Sequence, residues 1–127
     1  MSEIRDRGDA ARRRVLGAAH VDRSRADPGA LNAPFVDLIT DAAWGHVWGR
    51  GTISDRERSM MTLALLAGLG NYEEFKLHLH ATANTGASRD DITEALMHVA
   101  IYAGVPRANH AFKIAEEILH EMETENG

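Results

Sequence analysis

Apolar residues recur every three or four positions along almost the whole chain, and no stretch alternates apolar and polar residues as a half-buried strand does. The run from Met60 to Leu69 is apolar on nearly every face, which predicts a helix at the buried centre of the fold. A second helix is expected over residues 34–43, with an inward stripe formed by Phe35, Leu38, Ile39 and Ala42. The spacing therefore predicts an all-α protein.

Glycines and capping sequences mark where these helices begin and end. Gly45 and Gly70 each follow an apolar run, where glycine is typical of a helix C-terminus. Three segments have a serine or asparagine three positions before an acidic residue, the pattern of a capping box that starts a helix: 54–57, 71–74 and 88–91. We expect an N-terminal helix over about the first 20 residues and a connecting loop over 21–31. The last helix should face inward with Phe112, Ala115, Leu119 and Met122.

Length and composition restrict the class of protein. A chain of 127 residues fits one domain, 1–127, with a core of its own. Its 14 basic and 19 acidic residues give a net charge of −5, which argues against nucleic-acid binding. The absence of cysteine excludes disulfides, thiolate metal sites and thiol redox chemistry in this chain. No apolar run is long enough for a membrane span and the N-terminus is charged, so we expect a cytoplasmic protein.

Small residues are common, whereas aromatic residues are scarce. The chain has 11 glycines but only two Trp, two Tyr and three Phe residues. Small side chains let helices approach closely but bury little apolar area each. A helix that is apolar on most faces is covered more completely when neighbouring subunits contribute. We therefore expect a homo-oligomer.

The seven histidines do not show the spacing of a metal site. HExxH is absent. His78 and His80 lie two positions apart, so on a helix their side chains point about 200° away from each other and cannot share an ion. His78 lies on the apolar stripe of Phe75 and Leu79. It is either a core histidine with a satisfied hydrogen bond or an acid or base at a pocket wall.

Arginines offer candidate anion-binding groups. The cluster 12–14 is interpreted first as a solvated helix face. Arg50 lies between two glycines, and Arg58 lies in the first turns of the apolar helix. Arg58 either pairs with Asp55 or, together with Arg50, binds carboxylates of a substrate. Glu57 is better explained as a capping residue than as a catalytic acid.

The segment 44–51 contains two tryptophans and three glycines, which is unusual for a loop and indicates a pocket edge or a subunit contact. Neither a phosphate loop nor a GxSxG nucleophile motif is present.

Together, these motifs resemble those of the γ-carboxymuconolactone decarboxylases, from about Val15 to Leu119. The resemblance rests on WGHVWGRG at 44–51, Arg58-Ser59, His78, NTG at 84–86 and YAGVP at 102–106. It implies the all-helical fold of alkylhydroperoxidase D-like proteins and an oligomer, with a hexamer favoured and a trimer as the alternative.

The peroxidase members of that fold carry a CxxCxxxH signature. In that register this chain has Asn71 and Glu74 at the cysteine positions and His78 at the histidine, so the redox branch is excluded. His46 stands where the decarboxylase motif leads us to expect an acidic residue.

The resemblance implies that the chain removes CO₂ from 4-carboxymuconolactone, a lactone dicarboxylate, and forms 3-oxoadipate enol-lactone in protocatechuate degradation, with neither cofactor nor metal. His78 and Arg58 are then the expected catalytic residues, and Arg50, Trp48 and Ser59 the expected substrate-binding residues. Two alternatives remain open. In the first, the chain is a cofactor-free enzyme of the same fold that acts on another lactone or diacid. In the second, it is a non-catalytic oligomeric binding protein.

Overall fold

A computed structural model describes residues 2–126 of the chain, with side chains to residue 125. No residue in this range lies in a β-strand, which confirms the predicted all-α class. The helices are α1 Glu3–Leu16, α2 Ala18–Ser24, α3 Ala33–Ile39, a π-helix Thr40–Trp48, α4 Asp55–Leu69, α5 Tyr72–His80, α6 Thr82–Thr85, α7 Arg89–Tyr102 and α8 Val105–Asn126. They form two compact units that divide after Asp55. The assignment of 1–127 to one domain stays a prediction.

In the first unit, glycines let α1 pack closely on the π-helix. A Cβ atom added to Gly8 would overlap the carbonyl oxygen of Thr40. One added to Gly45 would lie 2.7 Å from the carbonyl oxygen of Ile4. The prediction that Gly45 ends a helix is wrong, because this glycine lies inside the π-helix at the point where α1 approaches it.

The π-helix also changes which residues face inward. Phe35 and Leu38 are exposed and Val36 is buried, so the predicted inward stripe of the 34–43 helix is wrong. The chain passes directly from α3 into π-helical turns at Thr40, so Ala42 of the predicted stripe lies in the π-helix. The side chains that the π-helix buries are four apart: Thr40, Trp44 and Trp48.

The predicted loop over 21–31 is shorter than expected. α2 extends to Ser24, and Val21 within it is fully buried. One buried valine anchors this short helix, although the segment shows no repeating apolar pattern.

The second unit has a core to which α4, α5, α7 and α8 contribute: Leu63, Ala67, Phe75, Leu79, Ile92, Leu96, Val99, Ala108, Ala111, Ile114, Ala115 and Ile118. Phe112, Leu119 and Met122 pack against this core as predicted. Gly70 follows α4 with a φ of 75°, as its predicted role as a helix end requires.

The capping box expected at 71–74 does not form. Asn71 makes no side-chain capping bond to α5. Its backbone N–H donates to the carbonyl of Leu66, at 2.9 Å, so Asn71 completes the end of α4. Its backbone ψ of 69° also lies outside the extended conformation of a helix N-cap.

α4 is buried on one side only, which corrects the prediction of a wholly buried central helix. Leu63 and Ala67 belong to the core, whereas Met61, Leu65 and Leu69 are exposed at four-residue intervals. The core that α4 forms with α5, α7 and α8 covers one face of the helix and leaves one apolar stripe facing outward.

The capping box at 88–91 is confirmed. The hydroxyl of Ser88 accepts from the N–H of Asp91 at 3.1 Å, and the Asp91 carboxylate accepts from the N–H of Ser88 at 2.9 Å. Arg56 donates two further hydrogen bonds to that carboxylate, at 2.7 and 2.6 Å. The Arg56 bonds first, and then the Ser88 backbone, hold the pKa of Asp91 well below its ordinary value.

This depressed pKa predicts a loss of stability in acid. Since the folded pKa lies below the unfolded one, the contribution of Asp91 is complete above about pH 5 and is lost as the pH falls through about 4 and below. Denaturant unfolding from pH 6 to pH 2 should show this decline, and Asp91→Asn should flatten part of it. Asp90→Asn is the control because Asp90 takes no part in the box. Identical pH profiles for Asp91→Asn and the unmodified chain would contradict the prediction.

Candidate active site

His78 lies on the buried face of α5. It is 8% exposed and shares that face with Phe75 and Leu79, which are fully buried. Thr82, four positions further on, is also buried, whereas His80 is exposed. The two histidines therefore face different environments, as their two-residue spacing predicts. Only His78 is shielded from bulk water in the manner of an enzymatic acid or hydrogen-bond donor.

Arg58 and Ser59 lie in the first turns of α4, and both are buried. Ser59 is one turn before Leu63 on the buried face. Asp55, the pairing partner considered for Arg58, accepts hydrogen bonds from Arg14 Nε at 2.7 Å and Nη2 at 3.1 Å. Arg14 thus binds the carboxylate of Asp55, and the substrate-binding role of Arg58 stays a prediction.

Trp48 lies at the end of the π-helix, so the interpretation of the tryptophan segment as a loop is wrong. Its ring stacks on that of Trp44 with centroids 5.1 Å apart and an angle of 29°. Both rings are buried. Four-residue spacing in π-helical turns places them one above the other, which fixes the Trp48 ring. π-Helical segments are frequent at functional sites.

Arg50 follows the π-helix and has an exposed side chain. Its backbone N–H donates to the carbonyl of Val47 at 3.1 Å. Just before it, a Cβ atom on Gly49 would lie 2.6 Å from the carbonyl oxygen of Gly45. The close backbone contact between Gly49 and Gly45 therefore fixes the position of the Arg50 backbone.

The five candidate residues divide between the two units. The second unit contains His78, Arg58 and Ser59, all buried polar side chains. The first unit contains Trp48 and Arg50. The roles assigned to all five stay predictions.

Arg12 is a buried polar residue that the sequence interpretation missed. It is 4% exposed, so the description of 12–14 as a solvated face is wrong for this residue. Gly8, Ala11, Arg12 and Val15 form the buried stripe of α1 at i, i+3, i+4 and i+7. That spacing was visible in the sequence and is the signal that identifies Arg12.

Two further properties concern the described part of the chain. None of its helices is long and apolar enough to cross a bilayer. Within the same residues, no three histidine or carboxylate side chains lie close enough to hold a metal ion.

Comparison with known proteins shows that the chain is similar to decarboxylases. The sequence profile of the Carboxymuconolactone decarboxylase family matches residues 33–117. A 4-carboxymuconolactone decarboxylase of Acinetobacter baylyi is 38% identical over 111 residues, which cover 87% of this chain and 83% of the relative. A nitrosuccinic acid decarboxylase of Metarhizium robertsii is 32% identical over 117 residues, or 92% of this chain and 82% of the relative.

Proposed function

Because the chain belongs to the carboxymuconolactone decarboxylase family, we propose that it converts 4-carboxymuconolactone to 3-oxoadipate enol-lactone and CO₂. The observation that carries this proposal is the similarity to the Acinetobacter enzyme across most of both chains. The proposed reaction is a step of protocatechuate degradation, and a cytoplasmic location stays a prediction from the lack of a long apolar run and the charged N-terminus.

The substrate itself supplies the electron sink. When the bond between the ring carbon and the carboxylate breaks, the electron pair of that bond remains on the ring carbon. This carbon is conjugated with the lactone carbonyl through the ring double bond. CO₂ leaves, and a dienolate forms with negative charge on the carbonyl oxygen. A proton added to a ring carbon then gives the enol-lactone. The protein has to supply a donor to the oxygen, a proton source and positive groups that position the substrate.

His78 suits the first two tasks. A donor shielded from water stabilises a developing oxyanion more strongly than a solvated donor does, because the local dielectric is low. The buried position of His78 on α5 meets this condition. In the proposed reaction, His78 donates a hydrogen bond to the dienolate oxygen or the proton to the ring carbon.

Arg58 and Arg50 suit the carboxylates of the substrate. A guanidinium binds a carboxylate with two parallel hydrogen bonds. An arginine held tightly on the departing carboxylate would stabilise the ground state and slow the reaction, so at least one of them binds the acetate arm. Ser59 and Trp48 complete the proposed substrate contacts, through a hydroxyl and a fixed ring face.

The Metarhizium relative favours a second candidate function. Nitrosuccinic acid is an open-chain diacid, so this family includes a decarboxylase whose substrate is not a lactone. A decarboxylase of such a diacid is the alternative for this chain.

An ultraviolet assay with freshly generated 4-carboxymuconolactone tests the function, with nitrosuccinate as the parallel substrate. We expect loss of the lactone with release of one CO₂, and no effect of EDTA or of thiol reagents. Turnover of nitrosuccinate alone would select the second candidate. Loss of activity with EDTA that one divalent ion restores would contradict the metal-free mechanism.

The exposed apolar stripe of α4 supports the proposal of an oligomer. Leu65 and Leu69 of this stripe line a groove of about 310 Å³ in the second unit, together with residues of α7 and the turn after it. The groove residues are Ala64, Leu65, Gly68, Leu69, His98, Val99, Tyr102 and Ala103. Exposed apolar patches of this kind mark association surfaces. In the proposed assembly this face meets another copy in a closed homo-oligomer, a hexamer or alternatively a trimer.

Leu65→Glu is expected to break this assembly. Leu65 is 64% exposed in the groove, and a carboxylate there would be buried between subunits without a partner. Light scattering should show the mass fall toward that of a single chain of 13.9 kDa. Leu31→Glu is the control because Leu31 is fully exposed and lies outside the groove. Equal masses for the Leu65→Glu and Leu31→Glu variants would contradict this interface.

A further inference from the structure

Arg12, a buried cation of the first unit, forms no ion pair with the described residues, although the negative charge of Asp9 acts on it. The Nε and Nη1 atoms of Arg12 are shielded from solvent, and nothing in residues 2–125 accepts a hydrogen bond from them. Burying a charged group without a partner is strongly unfavourable, and buried charges in proteins are normally paired. A group kept in this state therefore needs an explanation outside the folded chain itself.

Asp9, whose charge acts on Arg12, and Asp37, which binds the nearby Arg25, both already accept hydrogen bonds from other arginines. Asp9, one turn before Arg12, accepts from Arg13 Nε at 2.8 Å. Asp37 accepts from Arg25 Nη1 at 3.0 Å. Burial first, and then the positive charge of Arg25, lower the pKa of Arg12. An arginine remains protonated even so, and its surroundings favour an additional anion.

The backbone of Arg12 is held firmly. Gly8, Ala11 and Val15 share its stripe, and all three are buried. Gly8 also brings α1 against the carbonyl of Thr40. A guanidinium fixed in this way loses little conformational freedom when it binds an anion, which favours affinity.

We propose that Arg12 binds a carboxylate group of the substrate, an inference that rests on the proposed function. Carboxylate geometry matches a guanidinium, and both candidate substrates are dicarboxylates. A small ligand reaches an enclosed guanidinium more easily than an acidic side chain does from the surface of another subunit. Arg12 is thus a third proposed substrate-binding arginine, in addition to Arg58 and Arg50.

Titration calorimetry with succinate, a stable dicarboxylate, tests the proposal on the full-length chain. Succinate should bind the unmodified protein, and Arg12→Met should raise its Kd about 10–100-fold, the loss typical of a charge-assisted hydrogen bond. Arg14→Met is the matched control. It removes the same charge from the same helix, at an exposed side chain bound to Asp55, and should leave the Kd unchanged.

Thermal unfolding without succinate separates binding from a structural role. Because Arg12→Met removes an uncompensated buried charge, its melting temperature should equal or exceed that of the unmodified chain. Arg12→Lys keeps the charge but loses the planar fork, and should raise the Kd about tenfold. It also keeps the test valid if Arg12→Met fails to fold.

Three results would overturn the proposal: no succinate binding by the unmodified protein, an unchanged Kd in both Arg12 variants, or a smaller assembly in Arg12→Met, which would assign the carboxylate to a second copy. Turnover of 4-carboxymuconolactone tests the proposed function separately. If the unmodified enzyme were active and Arg12→Met had the same KM, the proposed function would be supported and the proposed role of Arg12 would be wrong. If the protein did not turn over 4-carboxymuconolactone but bound succinate only with Arg12 present, the carboxylate site would be supported and the proposed substrate would be wrong.

Discussion

His78→Ala is expected to lower kcat for 4-carboxymuconolactone by about 10²–10⁴-fold, the range typical of removing a general acid or an oxyanion donor. The side chain is buried on α5, so the proposed hydrogen bond to the dienolate would not compete with water. Initial rates in the ultraviolet assay at saturating substrate measure kcat of the variant and of the unmodified enzyme. KM should change less than kcat, because the interaction strengthens only as charge develops in the transition state.

The control for this variant is His80→Ala, on the same helix but exposed. His80→Ala should lower kcat by less than about threefold, since substitutions at the surface rarely disturb the fold. His78→Ala also removes volume beside Phe75, so circular dichroism and light scattering must show that fold and assembly are retained. A folded, assembled and fully active His78→Ala enzyme would make His78 a core residue and require another acid.

Gly8→Ala should destabilise the first unit by at least about 2 kcal/mol, the scale of a steric clash in a packed interior. Inside a helix, alanine is normally favoured over glycine by about 1 kcal/mol, so helix propensity alone predicts that Gly8→Ala stabilises the protein. At Gly8 the new methyl group would overlap the carbonyl oxygen of Thr40, which belongs to backbone and cannot rotate away. Denaturant unfolding measures the change.

Gly51→Ala is the matched control for this clash. No atom lies within 4 Å of a Cβ at Gly51, and its φ is not in the left-handed region, so the substitution should be nearly neutral. If Gly8→Ala proved as stable as Gly51→Ala, α1 would not depend on close contact with the π-helix, and the packing described for the first unit would be wrong.

Elements that depend on neighbours a few residues away were predictable. The capping box at 88–91, the end of α4 at Gly70 and the different exposure of His78 and His80 all follow from spacing within one or two helical turns. Such interactions form within the segment itself, so their residue types reveal them. The all-α class follows for the same reason, since helical periodicity is local.

The candidate site was predictable only in part. Periodicity placed His78 on a buried face, but nothing in the polar start of α4 indicated that Arg58 is buried. The sequence also suggested a central α4, whereas the exposure of Leu65 shows that one chain leaves part of it uncovered. How much of a helix is buried depends on how many other elements surround it, which its own residues do not specify.

Long-range contacts decided the remaining features. Gly45 looked like a helix end and Arg12 like a surface residue, and both interpretations failed where α1 meets the π-helix. Gly8 and Thr40, which touch there, are separated by more than thirty positions. Their approach selects glycine for its small size instead of its flexibility, and Arg12 lies on the same buried stripe of α1. The sequence contains the residues that permit this contact, but only the folded chain shows that α1 and the π-helix are its two sides.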